Sequence, residues 1–119
     1  MKFSNLLSVG LLLTLNVHPT SAADWFGLLS AKELLGVCTN RHDKWSDGYC
    51  AGYIMGIDNN VRGRPTSADY CPYKVPKGVQ PQQLVDSVVK YLVEHPNEVS
   101  NNSATMAVTF ALVVLYPCR

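Results

Sequence analysis

No apolar run in this sequence is long enough to cross a membrane. The strongest internal one, Met106–Tyr116, falls well short of the roughly 20 residues that a helical span needs. Cysteine is scarce: there are four, and no two stand as the close C-x-x-C pair on which structural zinc sites are usually built. The three histidines, His18, His42 and His95, show no H-E-x-x-H spacing. No serine lies in a G-x-S-x-G context. Charge is sparse and balanced, with ten Lys and Arg against nine Asp and Glu. A chain so nearly neutral is a poor match for nucleic acid or for an anionic membrane surface. If the cysteines are paired, no thiolate nucleophile remains either. These absences describe a binding protein rather than an enzyme, with no cofactor and no metal.

What is present begins with an export signal. Lys2 supplies a positive start, and Leu6–Leu15 forms an apolar core of about ten residues, followed by small residues at Ser21-Ala22-Ala23. This layout predicts a cleaved signal peptide over residues 1–23 and one mature domain over residues 24–119. No cysteine stands at the cut, so a lipid anchor is not expected. Removal of Lys2 takes the charge balance to zero. An even number of cysteines in a small exported domain reads as two disulfides.

The mature part reads as all-α, a small up-and-down bundle of four helices. Ser30-Ala31-Lys32-Glu33 is a capping box that opens the first helix, which runs to Cys38. The polar stretch Thr39–Lys44 reads as a loop, its charged Arg41-His42-Asp43-Lys44 cluster as a solvated one. Ser46 or Asp47 is then placed to cap a second helix. Tyr49, Cys50, Tyr53, Ile54, Ile57 and Val61 recur there at helical spacing. Gly48, Gly52 and Gly56 fall every fourth residue beside them. Each costs about 1 kcal/mol relative to alanine in a helix interior, so the row predicts close packing against a neighbouring element. Asp58 reads as a polar residue near the helix end. A proline-rich loop over Arg62–Pro81 leads to a third helix that starts at Pro81, a residue suited to the first helical turn. His95-Pro96 ends it. Asn97–Asn102 reads as a polar turn. The last helix, about Ser103 to Tyr116, is apolar on nearly every side and is expected to be the most buried element.

The helix order chooses among the three ways of pairing four cysteines. Cys38 ends the first helix and Cys50 lies in the first turns of the second, at one end of an up-and-down bundle. Helix two carries the chain to the other end at about 1.5 Å per residue. Cys71 lies beyond that end, and the last helix returns Cys118 to it. Bridged Cα atoms must lie within about 7 Å, so Cys38–Cys50 and Cys71–Cys118 are favoured.

Several segments carry a family resemblance, in order along the chain. They are Cys50-Ala51-Gly52-Tyr53-Ile54-Met55-Gly56-Ile57-Asp58; Tyr70-Cys71-Pro72; Gly78-Val79-Gln80 with Gln83-Leu84; Val88–Pro96; Ala111-Leu112; and Tyr116-Pro117-Cys118. The set resembles the type VI secretion amidase immunity proteins, the Rap/Tai immunity family. Two positions depart from the pattern: Gln80 stands where the family has a threonine before Pro81, and Pro72 directly follows Cys71.

The resemblance implies a periplasmic, helical protein, often paired as a homodimer. Such a protein binds a cysteine peptidase-like peptidoglycan amidase delivered as a toxin by a sister cell. It acts as an amidase inhibitor by occluding the active-site cleft. The contact is implied for the segment between the last two long helices: His95, Pro96, Asn97, Glu98, Ser100, Asn101, Asn102 and Ser103. A general periplasmic binding or stress protein of the same fold, without a toxin partner, is the alternative; an adjacent amidase gene separates the two.

Overall fold

A computed structural model describes residues 29–64 and 70–118. The predicted signal, residues 1–23, lies outside them. The described residues form five helices and no strand: α1 (Ala31–Thr39), α2 (Lys44–Arg62), α3 (Pro81–Glu94), α4 (Pro96–Asn101) and α5 (Ala104–Leu115).

Local chemistry accounts for the helix starts. Ser30 caps α1, its side chain accepting from the Glu33 amide at 3.2 Å, while the Glu33 carboxylate accepts from the Ser30 amide at 2.9 Å. The cap of α2 is Asp43 rather than Ser46 or Asp47. Its carboxylate accepts from the Ser46 amide at 2.8 Å, so the helix begins inside the stretch expected to be loop. The Ser46 amide bond holds the Asp43 carboxyl below its usual range. Pro81 opens α3, and the Gln80 amide donates to Gln83 Oε1 at 2.9 Å. Gln80 thus marks the helix start.

The core is one cluster. Leu34 of α1, Cys50 and Ile54 of α2, Leu84, Val85, Val88 and Leu92 of α3, and Val108, Ala111 and Leu112 of α5 are all buried. Burial of each large side chain contributes about 2 kcal/mol. The α5 helix packs against α1, α2 and α3. Two disulfides close the fold with the expected pairing, Cys38–Cys50 and Cys71–Cys118, at Cα separations of 5.1 and 6.2 Å. The first is buried between α1 and α2. The second is exposed and ties the segment after α2 to the end of α5. Beside it the Lys74 amide donates to the Tyr116 carbonyl at 2.8 Å.

Four further features differ from the sequence reading. The turn over Asn97–Asn102 is a short helix, because Pro96 presets the first φ angle and side chains bond back along the turn. The glycine row of α2 meets nothing: a Cβ added at Gly48, Gly52 or Gly56 finds open space. These glycines face outward because the buried row of α2 is Ser46, Cys50, Ile54 and Asp58, on the opposite side. Nor is α5 buried all round. Met106, Phe110, Val113 and Val114 are exposed, since its neighbours cover only the Ala104, Ala107, Val108, Ala111 and Leu112 side.

The fourth difference is Asp58, which is fully buried. The Tyr73 hydroxyl donates to its Oδ1 at 2.9 Å, and Arg62, one turn on, pairs with Oδ2. This acid fastens the segment after α2 to the helix itself. Burial, and then the bond to Asp58, push the Tyr73 hydroxyl above the usual phenol range.

Candidate functional site

The segment His95–Ser103 joins α3 to α5. Its geometry starts at His95, which ends α3 and begins α4. The imidazole stacks on Tyr91 with ring centroids 3.8 Å apart, and Nδ1 lies 2.7 Å from the Tyr91 carbonyl. A carbonyl oxygen can only accept, so Nδ1 carries the proton. In the neutral ring Nε2 is then left as an acceptor. Pro96 follows at the first helical position.

The polar side chains of α4 are largely engaged within the segment. Ser100 donates to the Pro96 carbonyl at 2.9 Å and Asn101 to the Asn97 carbonyl at 2.8 Å. Asn102 donates to both the carbonyl and the carboxylate of Glu98, each at 2.9 Å. Ser103 caps α5, accepting from the Met106 amide at 3.3 Å. One apolar side chain, Val99, is buried beneath the turn. The backbone is held as well. The Ala31 amide donates to the Asn102 carbonyl at 3.1 Å, the Ala104 amide to the Leu29 carbonyl at 2.8 Å, and Ser30 and Ser103 form an antiparallel bridge.

The structure thus brings all eight candidate residues into one short stretch fixed at both ends. His95, Pro96, Asn97, Ser100 and Asn101 are exposed, whereas Glu98, Asn102 and Ser103 are half-buried. This surface offers hydrogen-bonding groups on a preset backbone. It holds no nucleophile paired with a base. Among the described residues, no group of three or more His, Cys, Asp or Glu is arranged to hold a metal ion.

The charged stretch after α1 is built differently. Arg41, His42, Asp43, Lys44, Asp47 and Gln82 line an open surface cleft. Arg41 reaches Asp86 of α3 at 2.9 Å and Asp47 of α2 at 3.3 Å. The hydrogen bond from Arg41 is the main reason the Asp86 carboxyl sits below its ordinary range. Arg41 is consumed in tying two helix starts together.

A family model for the Rap1a immunity proteins matches residues 30–118. The chain belongs to the Rap1a immunity protein family. The match starts at the Ser30 cap and ends at Cys118, so it spans all five helices and both disulfides. No curated protein and no solved structure matches the chain. Its family is one of immunity proteins, so its partner is an effector protein. The bridges Cys38–Cys50 and Cys71–Cys118 suit an exported Rap1a family member, because disulfides persist in oxidising compartments. No helix among the described residues is long and apolar enough to cross a membrane.

Proposed function

We propose that this Rap1a family member is exported by a signal peptide cut after residue 23 and acts in the periplasm. There it binds a peptidoglycan amidase effector delivered by type VI secretion and occludes its active site. The mature domain is residues 24–119. It acts by stoichiometric binding and carries out no chemistry of its own.

The observation that carries the reading is the anchoring of His95–Ser103. An inhibitory surface must enter a cleft shaped for a peptide, and ordering a loose loop on binding costs affinity. Here the ordering is already done, by the Ser30–Ser103 bridge, the Asn102 and Leu29 carbonyl bonds and the buried Val99. The exposed Asn97 and Ser100 and the Nε2 acceptor of His95 are then available to an effector.

The test is inhibition of the amidase encoded beside the gene by protein recovered from the periplasm. Asn97→Arg and Ser100→Arg, both at exposed positions, are expected to abolish inhibition while leaving the thermal midpoint in place. Full inhibition by both variants removes the assignment of the segment. Failure of the unaltered chain to inhibit removes the amidase as target.

A further inference from the structure

Of the three arginines among the described residues, Arg41 and Arg62 are paired with aspartates, and Arg64 forms no ion pair within that set. The Arg64 side chain donates to Asn60 Oδ1 at 3.4 Å. It lines a cavity of about 210 Å³ between the second half of α2, the first half of α5 and the segment around Pro72. Ile57, Val61 and Pro72 give this cavity apolar walls, Asn60, Arg64 and Thr105 give it donors, and no lining residue is acidic. The cavity is one end of a longer feature. Trp45, Tyr49, Tyr53, Ile57 and Val61 are spaced four apart and so form a single ridge along α2. The aromatic part of the ridge stacks in series, with centroid distances of 5.3 and 6.3 Å, and Trp45 is 68% exposed. The Tyr53 hydroxyl lies 3.2 Å from Thr105 Oγ1, which joins the ridge to the cavity wall.

We propose that this cavity and ridge bind the free C-terminal end of an extended polypeptide whose last side chain is apolar. Charge is the first reason. A guanidinium set beside apolar surface, with no acid lining the cavity, is complementary to a carboxylate, which its planar fork can hold in two parallel bonds. The Asn60 amide accepts from Arg64 through its oxygen and keeps its N–H groups for the same carboxylate. Size is the second. At about 210 Å³ the cavity is smaller than the roughly 300 Å³ at which sites for whole drug-sized ligands begin, so it suits one terminal residue. Continuity is the third. From Ile57 back to Trp45 the α2 helix rises about 18 Å, a length that about five extended residues cover. The side chains that precede the terminal residue would lie against the three rings. Gly52 and Gly56 have open space above them beside the ridge, so a peptide backbone can come close there. The site shares no residue with His95–Ser103, so it can be tested apart from inhibition of an effector.

The test is an NMR titration of the protein recovered from the periplasm with the peptide N-acetyl-Ala-Ala-Ala-Ala-Leu, as the free acid and as the carboxamide. The free acid is expected to bind with a Kd on the order of 100 µM and to move the backbone amides of Ile57, Asn60, Val61, Arg64 and Thr105. The carboxamide is expected to bind at least about tenfold more weakly. Arg64→Gln, at an exposed position, should weaken the free acid by a similar factor with an unchanged thermal midpoint. Equal binding of acid and amide overturns the proposal, as does the absence of any shift up to about 2 mM peptide. Octanoate that moves the same amides as strongly as the peptide gives the cavity to a fatty acid, and overturns it equally. If the acid binds only after Asp69→Asn, next to Tyr70 in the sequence, the chain's own carboxylate is the occupant and the proposal falls.

Discussion

At the scale of single residues, Asp58 and Tyr73 are the most consequential pair. Asp58 has no exposed surface, and its Oδ1 accepts from a hydroxyl fifteen residues away. Tyr73→Phe leaves that carboxylate oxygen short of a donor and is expected to cost about 1–3 kcal/mol in chemical denaturation. A pH signature accompanies it. The Tyr73 hydroxyl is raised above the usual phenol value in the folded state. Its contribution is therefore complete below about pH 10, where the unfolded phenol titrates, and declines as pH rises further. Stability measured from pH 8 to 11 should fall more steeply for the unaltered chain than for Tyr73→Phe. The sequence did not reveal this pair for a physical reason. Asp58 sits one turn beyond Ile54 in the buried row, but its partner lies outside any helix, where periodicity carries no information.

At the scale of elements, helix ends were more legible than helix faces. Ser30-Ala31-Lys32-Glu33 and Pro81 announce α1 and α3 because capping is settled by the nearest three or four residues. Which side of a helix is covered is settled by its neighbours. The α5 sequence is apolar all round and so contains no preferred side; Met106, Phe110, Val113 and Val114 stay open because nothing described lies over them. The glycine row of α2 likewise marks a face without saying what meets it. The candidate segment was singled out by resemblance alone, and its helix was hidden by Asn and Ser, which favour turns in isolation. Tertiary anchoring by Val99 decides otherwise. Val99→Ala removes two buried methyl groups and is expected to cost about 2 kcal/mol. It should also speed amide hydrogen exchange across residues 96–103 more than across α3.

At the scale of the whole molecule, the two bridges differ in both span and access. Cys71–Cys118 spans a sequence separation of 47 and is exposed; Cys38–Cys50 spans 12 and is buried. A mild thiol reductant is expected to open Cys71–Cys118 first, as seen by alkylation and peptide mapping. By chain entropy alone, replacing Cys71 and Cys118 with serine should cost about 4 kcal/mol, against about 3 for the shorter loop. The shorter bridge carries an added penalty, because two hydroxyls would then be left in the core.

The bridges also join neighbours along the chain: first cysteine to second, third to fourth. A polypeptide that emerges amino end first presents its thiols in that order. An oxidant that links each thiol to the next arrival would therefore write the native pattern at the first attempt, with nothing to unscramble. Cells with a thiol oxidase but no disulfide isomerase should yield this protein at undiminished levels and with both bridges correct.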